Sequence, residues 1–185
     1  VPSGNFGNIC AGMMAQQLGL PIKQFIASTN INDIVPNYLK TGKYEPKPSK
    51  QTISNAMDVG DPSNFIRIQE IYGNDDSKLK EQLSSYAFTD EETRETIKYI
   101  KENSGYTTDP HGAVGYLGLK KYLLGKSNIQ GVFLETAHPV KFLDVVEPII
   151  EETIDLPSQI SEIIHRKKFS IEISTYEELK AFLID

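Results

Sequence analysis

Short apolar runs alternate along this chain with longer stretches whose apolar residues recur every three or four positions, the pattern of an α/β protein. Lys23-Gln24-Phe25-Ile26-Ala27-Ser28 predicts a buried strand, and Gln130-Gly131-Val132-Phe133-Leu134 predicts a second. Tyr86-Ala87-Phe88 and the stretch 169–173 predict shorter strands. Helices are predicted over 9–18, where Ala11 and Ala15 permit close packing and Gly19 gives a stop, and over a short span from Asn32-Asp33 to 39. Gly42, Pro46 and Pro48 mark 40–54 as a surface loop. Asp61-Pro62 predicts the start of a helix carrying Phe65, Ile68 and Tyr72 on one face and ending at Gly73. A more polar helix is predicted over 75–84, and Thr89-Asp90-Glu91-Glu92 is a capping box opening another to about 103. Further helices are predicted over 112–125, from Pro139 to about 153, over 158–165, and after a second capping box at Thr175-Tyr176-Glu177-Glu178.

Two convincing strands are too few for this many helices, because a lone parallel pair is not a viable core. The chain also opens on a glycine-rich turn, Val1-Pro2-Ser3-Gly4, without the strand that should feed it. The expectation is an α/β chain forming part of a three-layer domain, its small, mostly parallel sheet covered by many helices. No repeat or linker divides residues 1–185.

Composition adds boundaries. Hydrophobic residues make up 39% and charged residues 24% of 185 positions, which is ordinary for a globular chain. The net charge of −6 does not favour nucleic acid or an anionic membrane as partner. The one basic run, Arg166-Lys167-Lys168, is that of a solvated helix end. A single cysteine, Cys10, permits no internal disulfide, and no apolar run is long enough to span a bilayer, so a cytoplasmic protein is expected.

Ser3-Gly4-Asn5-Phe6-Gly7-Asn8 is the first place where chemistry can reside. Glycines at this spacing let amides turn inward, and the following helix aims its positive end at the same point, an arrangement suited to phosphate. The alternative is a plain strand-to-helix turn. The loop has no lysine, so it is not a nucleoside-triphosphate loop, and it lacks Gly-x-Gly-x-x-Gly spacing. Thr136 follows a predicted strand, where ligands bind in open α/β sheets; its hydroxyl either meets a ring nitrogen or caps the next helix. Asp109-Pro110-His111 reads equally as a cap and first turn. His111, His138 and His165 share no metal-ligand spacing, and Cys10 sits among apolar residues, so neither a metal site nor a cysteine nucleophile is expected.

Four segments in order resemble the threonine synthase family, a group of fold-type-II pyridoxal-phosphate enzymes. They are Val1-Pro2-Ser3-Gly4-Asn5-Phe6-Gly7-Asn8; Ser54-Asn55-Ala56-Met57-Asp58 with Pro62-Ser63-Asn64; Asp109-Pro110-His111-Gly112-Ala113-Val114; and Thr136-Ala137-His138-Pro139-Val140-Lys141-Phe142. The resemblance covers nearly the whole chain and is to the carboxy-terminal part of the large cofactor domain. It implies conversion of O-phospho-L-homoserine and water to L-threonine and phosphate, with pyridoxal phosphate as cofactor. It implies that Ser3, Gly4, Asn5, Phe6, Gly7 and Asn8 hold the cofactor phosphate and that Thr136 faces its pyridine nitrogen. Asp58, Asp109 and His111 would lie near cofactor or substrate. The lysine that carries the cofactor and the amino-terminal domain belong upstream in this family, so the chain by itself is expected to be inactive. Its exposed sheet edge would favour self-association. The other readings are a phosphate-ligand binding module without chemistry, or another fold-type-II pyridoxal-phosphate lyase.

Overall fold

The computed structural model describes residues 1–164 and 166–184, so the predicted end of the 158–165 helix, at His165, lies outside the described residues. The chain divides into two units, Val1–Ile154 and Asp155–Asp185.

In the first unit a two-stranded parallel sheet joins β1 (Phe25–Thr29) to β2 (Leu83–Ala87), with Phe25 opposite Leu83 and Thr29 opposite Ala87. On the other edge of β1, Pro2 forms a parallel bridge with Ser28. The Ser3 amide donates to the Ser28 carbonyl at 2.8 Å, and the Ser28 amide to the Val1 carbonyl at 3.0 Å. The residues leading into the glycine loop thus run along the sheet.

Alternation along β1 sends side chains to two layers. Phe25 and Ala27 join a core built from α1 (Gly7–Gln17), α2 (Ile34–Thr41), α3 (Phe65–Ile71) and α4 (Asp76–Gln82). Ile9, Met13, Val35, Phe65, Ile68 and Leu79 fill it, and the Phe65 ring meets Phe6 and Tyr38 edge-on while stacking on Tyr44. Ile26 and Ser28 face the opposite layer. There α6 (Pro110–Leu123) lies so close that a Cβ on Gly118 would stand 1.9 Å from Ser28 Oγ, and one on Gly115 would stand 3.1 Å from the Pro2 ring. Small residues three apart on one helix face allow this approach. Next to α6, α5 (Asp90–Ser104) begins with the predicted capping box, and α7 (Leu143–Ile150) completes a second core of Ile97, Ala113, Phe142 and Val146. The three layers and the parallel sheet follow the expectation from the sequence.

Several details differ. Gln130-Gly131-Val132-Phe133-Leu134 is not a strand: it pairs with no described residue, and Val132 is 74% exposed. With only β1 and β2 in the sheet among the described residues, Val132 and Leu134 instead border a groove of about 370 Å³ with Phe25, Ile26, Leu119 and Tyr122. The partner of β1 is 83–87, three residues earlier than the predicted 86–88. The stretch 169–173 is also without strand pairing. Asn64, not Asp61, caps α3, and the helix expected from Pro139 begins as a 3-10 turn, Pro139–Phe142, before α7. That helix ends at Ile150, where Glu151 adopts a left-handed backbone with φ 55°.

The second unit holds α8 (Ser158–Ser161) and α9 (Tyr176–Ile184), the latter opened by the predicted capping box, with Glu178 and Thr175 exchanging backbone-to-side-chain bonds. Among the described residues no helix is long and apolar enough to cross a membrane.

Candidate functional site

The glycine loop is built by three contacts. Ser3 is buried, its hydroxyl donating to the Val1 carbonyl at 2.9 Å. Gly4 has no room for a side chain, because a Cβ there would stand 2.6 Å from Met57 Cα and 2.9 Å from the Ala56 carbonyl oxygen. Phe6 precedes α1 with a left-handed backbone, φ 60° and ψ 16°, and its ring is buried at 2% exposure in the core. Burial of the ring offsets an unfavourable backbone for a bulky residue, and the turn it makes swings the next amides outward.

Those amides carry the electrostatics. Among the described residues, no protein group accepts from the backbone N–H groups of Gly4, Asn5, Phe6, Gly7, Asn8 or Ile9. No side chain caps α1, and its first turn holds no acidic residue. Gly7 and Asn8 are exposed. A helix start with uncapped, solvent-facing amides concentrates partial positive charge and suits a phosphate. The loop's shape is held from outside. Asn5 Oδ1 accepts from the Ser63 amide at 2.7 Å and from the Ser63 hydroxyl at 3.0 Å, and Asn64 Nδ2 donates to the Asn5 carbonyl at 2.9 Å. Asn5 therefore spends its side-chain oxygen on the neighbouring loop, and its NH2 group has no protein partner among the described residues. In the sequence Ser63 and Asn64 stand out only within the family resemblance; no local spacing signals that they brace the loop.

Ala56 and Met57 belong to a 3-10 turn, Asn55–Met57, that closes over Gly4. Asp58 fixes this turn to the carboxyl end of β1. It accepts from Thr52 Oγ1 at 2.7 Å, from Asn30 Nδ2 at 2.8 Å and from the Thr52 amide at 3.0 Å. Neutral donors thus occupy both oxygens of Asp58.

The start of α6 meets the same turn. Asp109 is wholly buried and caps the helix by accepting from the His111 amide at 2.8 Å. Its oxygen also lies 2.6 Å from His111 Nδ1, and His111 Nε2 accepts from the Ala56 amide at 3.2 Å. Burial by itself would raise the Asp109 pKa, but the hydrogen bonds from His111 outweigh it and hold the carboxyl below its ordinary value.

Thr136 is exposed, and its hydroxyl makes no hydrogen bond with any described residue. The cap of the following turn is His138, whose Nδ1 accepts from the Val140 amide at 3.1 Å, so Thr136 is not a cap. Its neighbour Glu135 ties this segment to α6: the Thr108 hydroxyl donates to Glu135 Oε1 at 2.8 Å, and the carboxylate lies where a Gly112 side chain would be. Burial pushes the Glu135 carboxyl up to about 7, and the adjacent Asp109 adds to the rise. Neither Glu135 nor Thr108 belongs to a recognisable motif in the sequence. The structure therefore brings together the loop, the 54–58 turn and the start of α6, and fastens the segment carrying Thr136 to the last of these. Among the described residues, no three His, Cys, Asp or Glu side chains form a cluster that could hold a metal.

Comparison with known proteins gives the same correspondence. Residues 112–183 match the family described as threonine synthase, C-terminal. The chain is 48% identical over 88% of its length to threonine synthase of Escherichia coli strain K12, covering 37% of that protein. It is 44% identical over its full length to threonine synthase of Haemophilus influenzae, covering 43% of it. Its fold superposes on the crystal structure of threonine synthase from Escherichia coli with a TM-score of 0.88 at 43% identity, covering 99% of this chain and 42% of that one. The X-ray structure of PLP-bound threonine synthase from Brucella melitensis gives 0.81 at 31% identity, covering 98% of this chain and 44% of that one. The chain is similar to the carboxy-terminal part of the threonine synthases, and it spans about two-fifths of the length of the relatives it matches.

Proposed function

We propose that this chain is the carboxy-terminal portion of the large cofactor-binding domain of a threonine synthase, which converts O-phospho-L-homoserine and water to L-threonine and phosphate. The observation that carries the reading is the run of backbone amides from Gly4 to Ile9 with no protein acceptor among the described residues, opening at the exposed Gly7 and Asn8 onto the start of an eleven-residue helix. Naming a phosphate-bearing cofactor for it rests on the PLP-bound relative of similar fold.

The residues present fit pyridoxal phosphate. The loop amides and the start of α1 would bind its phosphate, with the Asn5 NH2 group beside them and Ser3 holding the loop to β1. No lysine or arginine lies in the loop, so binding rests on amide donors and the helix end. The Thr136 hydroxyl would meet the pyridine nitrogen, and a neutral group there need not hold that nitrogen protonated. Pyridoxal phosphate, when bound, supplies an electron sink that lets protons leave carbons near the substrate amine. Asp58, Asp109 and His111 shape the wall beside the phosphate. The lysine joined to the cofactor would come from a segment outside this chain, as would the rest of the substrate site. A cytoplasmic setting belongs to the same reading, and the exposed apolar residues Ile129, Val132 and Leu134 support self-association of the isolated chain.

The test is phosphate release from O-phospho-L-homoserine by the full-length protein carrying this segment, with pyridoxal phosphate present and threonine identified as product. Cofactor binding without threonine formation overturns the assignment. The 185-residue chain alone, reduced with borohydride in the presence of pyridoxal phosphate, is expected to show only nonspecific labelling; one stoichiometric, site-specific lysine adduct contradicts the placement of that lysine elsewhere.

A further inference from the structure

His111 stands where three segments of the site meet. Its Nδ1 is 2.6 Å from Asp109 at the cap of α6. Its Nε2 accepts the Ala56 amide hydrogen in the turn that closes on Gly4. Its ring packs on Phe142, in the segment that follows Thr136, with centroids 4.9 Å apart. Because Nε2 accepts, the proton lies on Nδ1 and is donated to Asp109. Both nitrogens are therefore engaged, and the residue is only 3% exposed. His111 has neither a lone pair nor a proton to offer a substrate.

Resting on the cofactor-phosphate reading above, we propose that His111 is a positioning residue for the phosphate loop: held by Asp109, it fixes the Ala56 amide and so sets the wall against which Gly4 is seated. The coupling is steric. The Ala56 carbonyl oxygen and Met57 Cα lie 2.9 Å and 2.6 Å from where a Gly4 Cβ would be, so any shift of the 55–57 turn moves either into the loop or away from it. Loss of the Nε2 acceptor leaves the Ala56 amide without its partner and lets the turn move. Asp109 gives the imidazole its direction, much as the outer partner of a ligating histidine fixes ring and tautomer. What His111 controls is then the grip on the phosphate, not on the rest of the cofactor.

This separates positioning from general structural support. In the full-length enzyme carrying this segment, affinities for pyridoxal phosphate and for pyridoxal are measured by absorbance titration, and their ratio is the readout. His111→Leu is expected to lower the ratio about tenfold through the phosphate compound, with pyridoxal binding unchanged. His111→Gln, whose Oε1 can still accept from Ala56, is expected to keep the ratio within about threefold. The 31P shift of bound pyridoxal phosphate should move in His111→Leu and return in His111→Gln. An unchanged ratio in His111→Leu, or an equal loss for both compounds, overturns the inference. If His111→Leu fails to fold, Ala56→Pro, which deletes the donated hydrogen and keeps His111, must lower the ratio; an unchanged ratio overturns the inference in the same way. Gly4→Val serves as the separate control. If it lowers the ratio while His111→Leu does not, His111 loses its role and the phosphate-loop reading stands. If Gly4→Val leaves the ratio unchanged, the phosphate-loop reading itself fails.

Discussion

Gly118 of α6 and Ser28 of β1 compete for one space: a Cβ on Gly118 would lie 1.9 Å from Ser28 Oγ and 3.0 Å from Ser28 Cβ. The Ser28 hydroxyl is buried and has no hydrogen-bond partner among the described residues. Helix and sheet therefore touch backbone to side chain, and the contact depends on the absence of a methyl group. Gly118→Ala should cost about 1–3 kcal/mol through overpacking, despite its better helix propensity. Ser28→Ala should be neutral or stabilising, since it removes an unpartnered buried hydroxyl. Urea unfolding of both variants and of the double variant gives the coupling.

The brace from Asn64 predicts a local effect. Asn64→Ala removes its bond to the Asn5 carbonyl and should cost about 1 kcal/mol. Because that bond reaches the loop and not the core, exchange of the Ser63 amide, which donates to Asn5 Oδ1, should speed up more than exchange in α5.

Glu135 predicts a pH dependence. Its carboxyl is raised to about 7 in the folded chain, so the folded state holds a proton that the unfolded state has released. The contribution is fully present below the ordinary carboxylate pKa and is lost as pH rises through about 7. Stability should therefore fall between pH 5 and pH 8, by a modest amount because the carboxyl is only partly buried and the rest of the residue stays open to solvent. Glu135→Gln should flatten that part of the profile, as read by unfolding midpoints at the two pH values.

Thr89 caps α5. Its hydroxyl accepts from the Glu92 amide at 3.2 Å, and Glu92 accepts from the Thr89 amide at 2.8 Å. Thr89→Ala should cost about 1 kcal/mol of stability. Urea unfolding midpoints of Thr89→Ala and the parent chain read that loss.

The capping boxes at Thr89 and Thr175, the strand at Phe25 and the glycine loop were all legible in the sequence, because each depends on residues close together along the chain. What failed depended on partners. Gln130 to Leu134 has the composition of a buried strand, but a strand needs a neighbour, and none of the described residues pairs with it. Leu83-Ser84-Ser85 is too polar to read as a strand, yet it lies against β1 and completes the sheet. The site shows the same division. Gly4, Phe6 and Gly7 announce a turn into a helix, whereas the hydrogen bond from Ala56 to His111 spans 55 positions and leaves no local trace. Asp58 could be picked out, but not that neutral donors would enclose its carboxylate.

The sheet is parallel, with Pro2, β1 and β2 all running the same way. Everything that follows a strand therefore emerges at one end: the glycine loop after Pro2, the Asn30 network after β1, and Phe88 to Asp90 after β2. Asp90 is joined there to the 52–58 turn by the Ile53 amide at 3.3 Å. The opposite end, where 18–24 and Gln82 feed the strands, carries none of these groups. Extra residues inserted at that far end would be felt as altered folding stability, whereas a single insertion between Ser3 and Gly7 would dismantle the cradle while leaving the rest of the sheet in register.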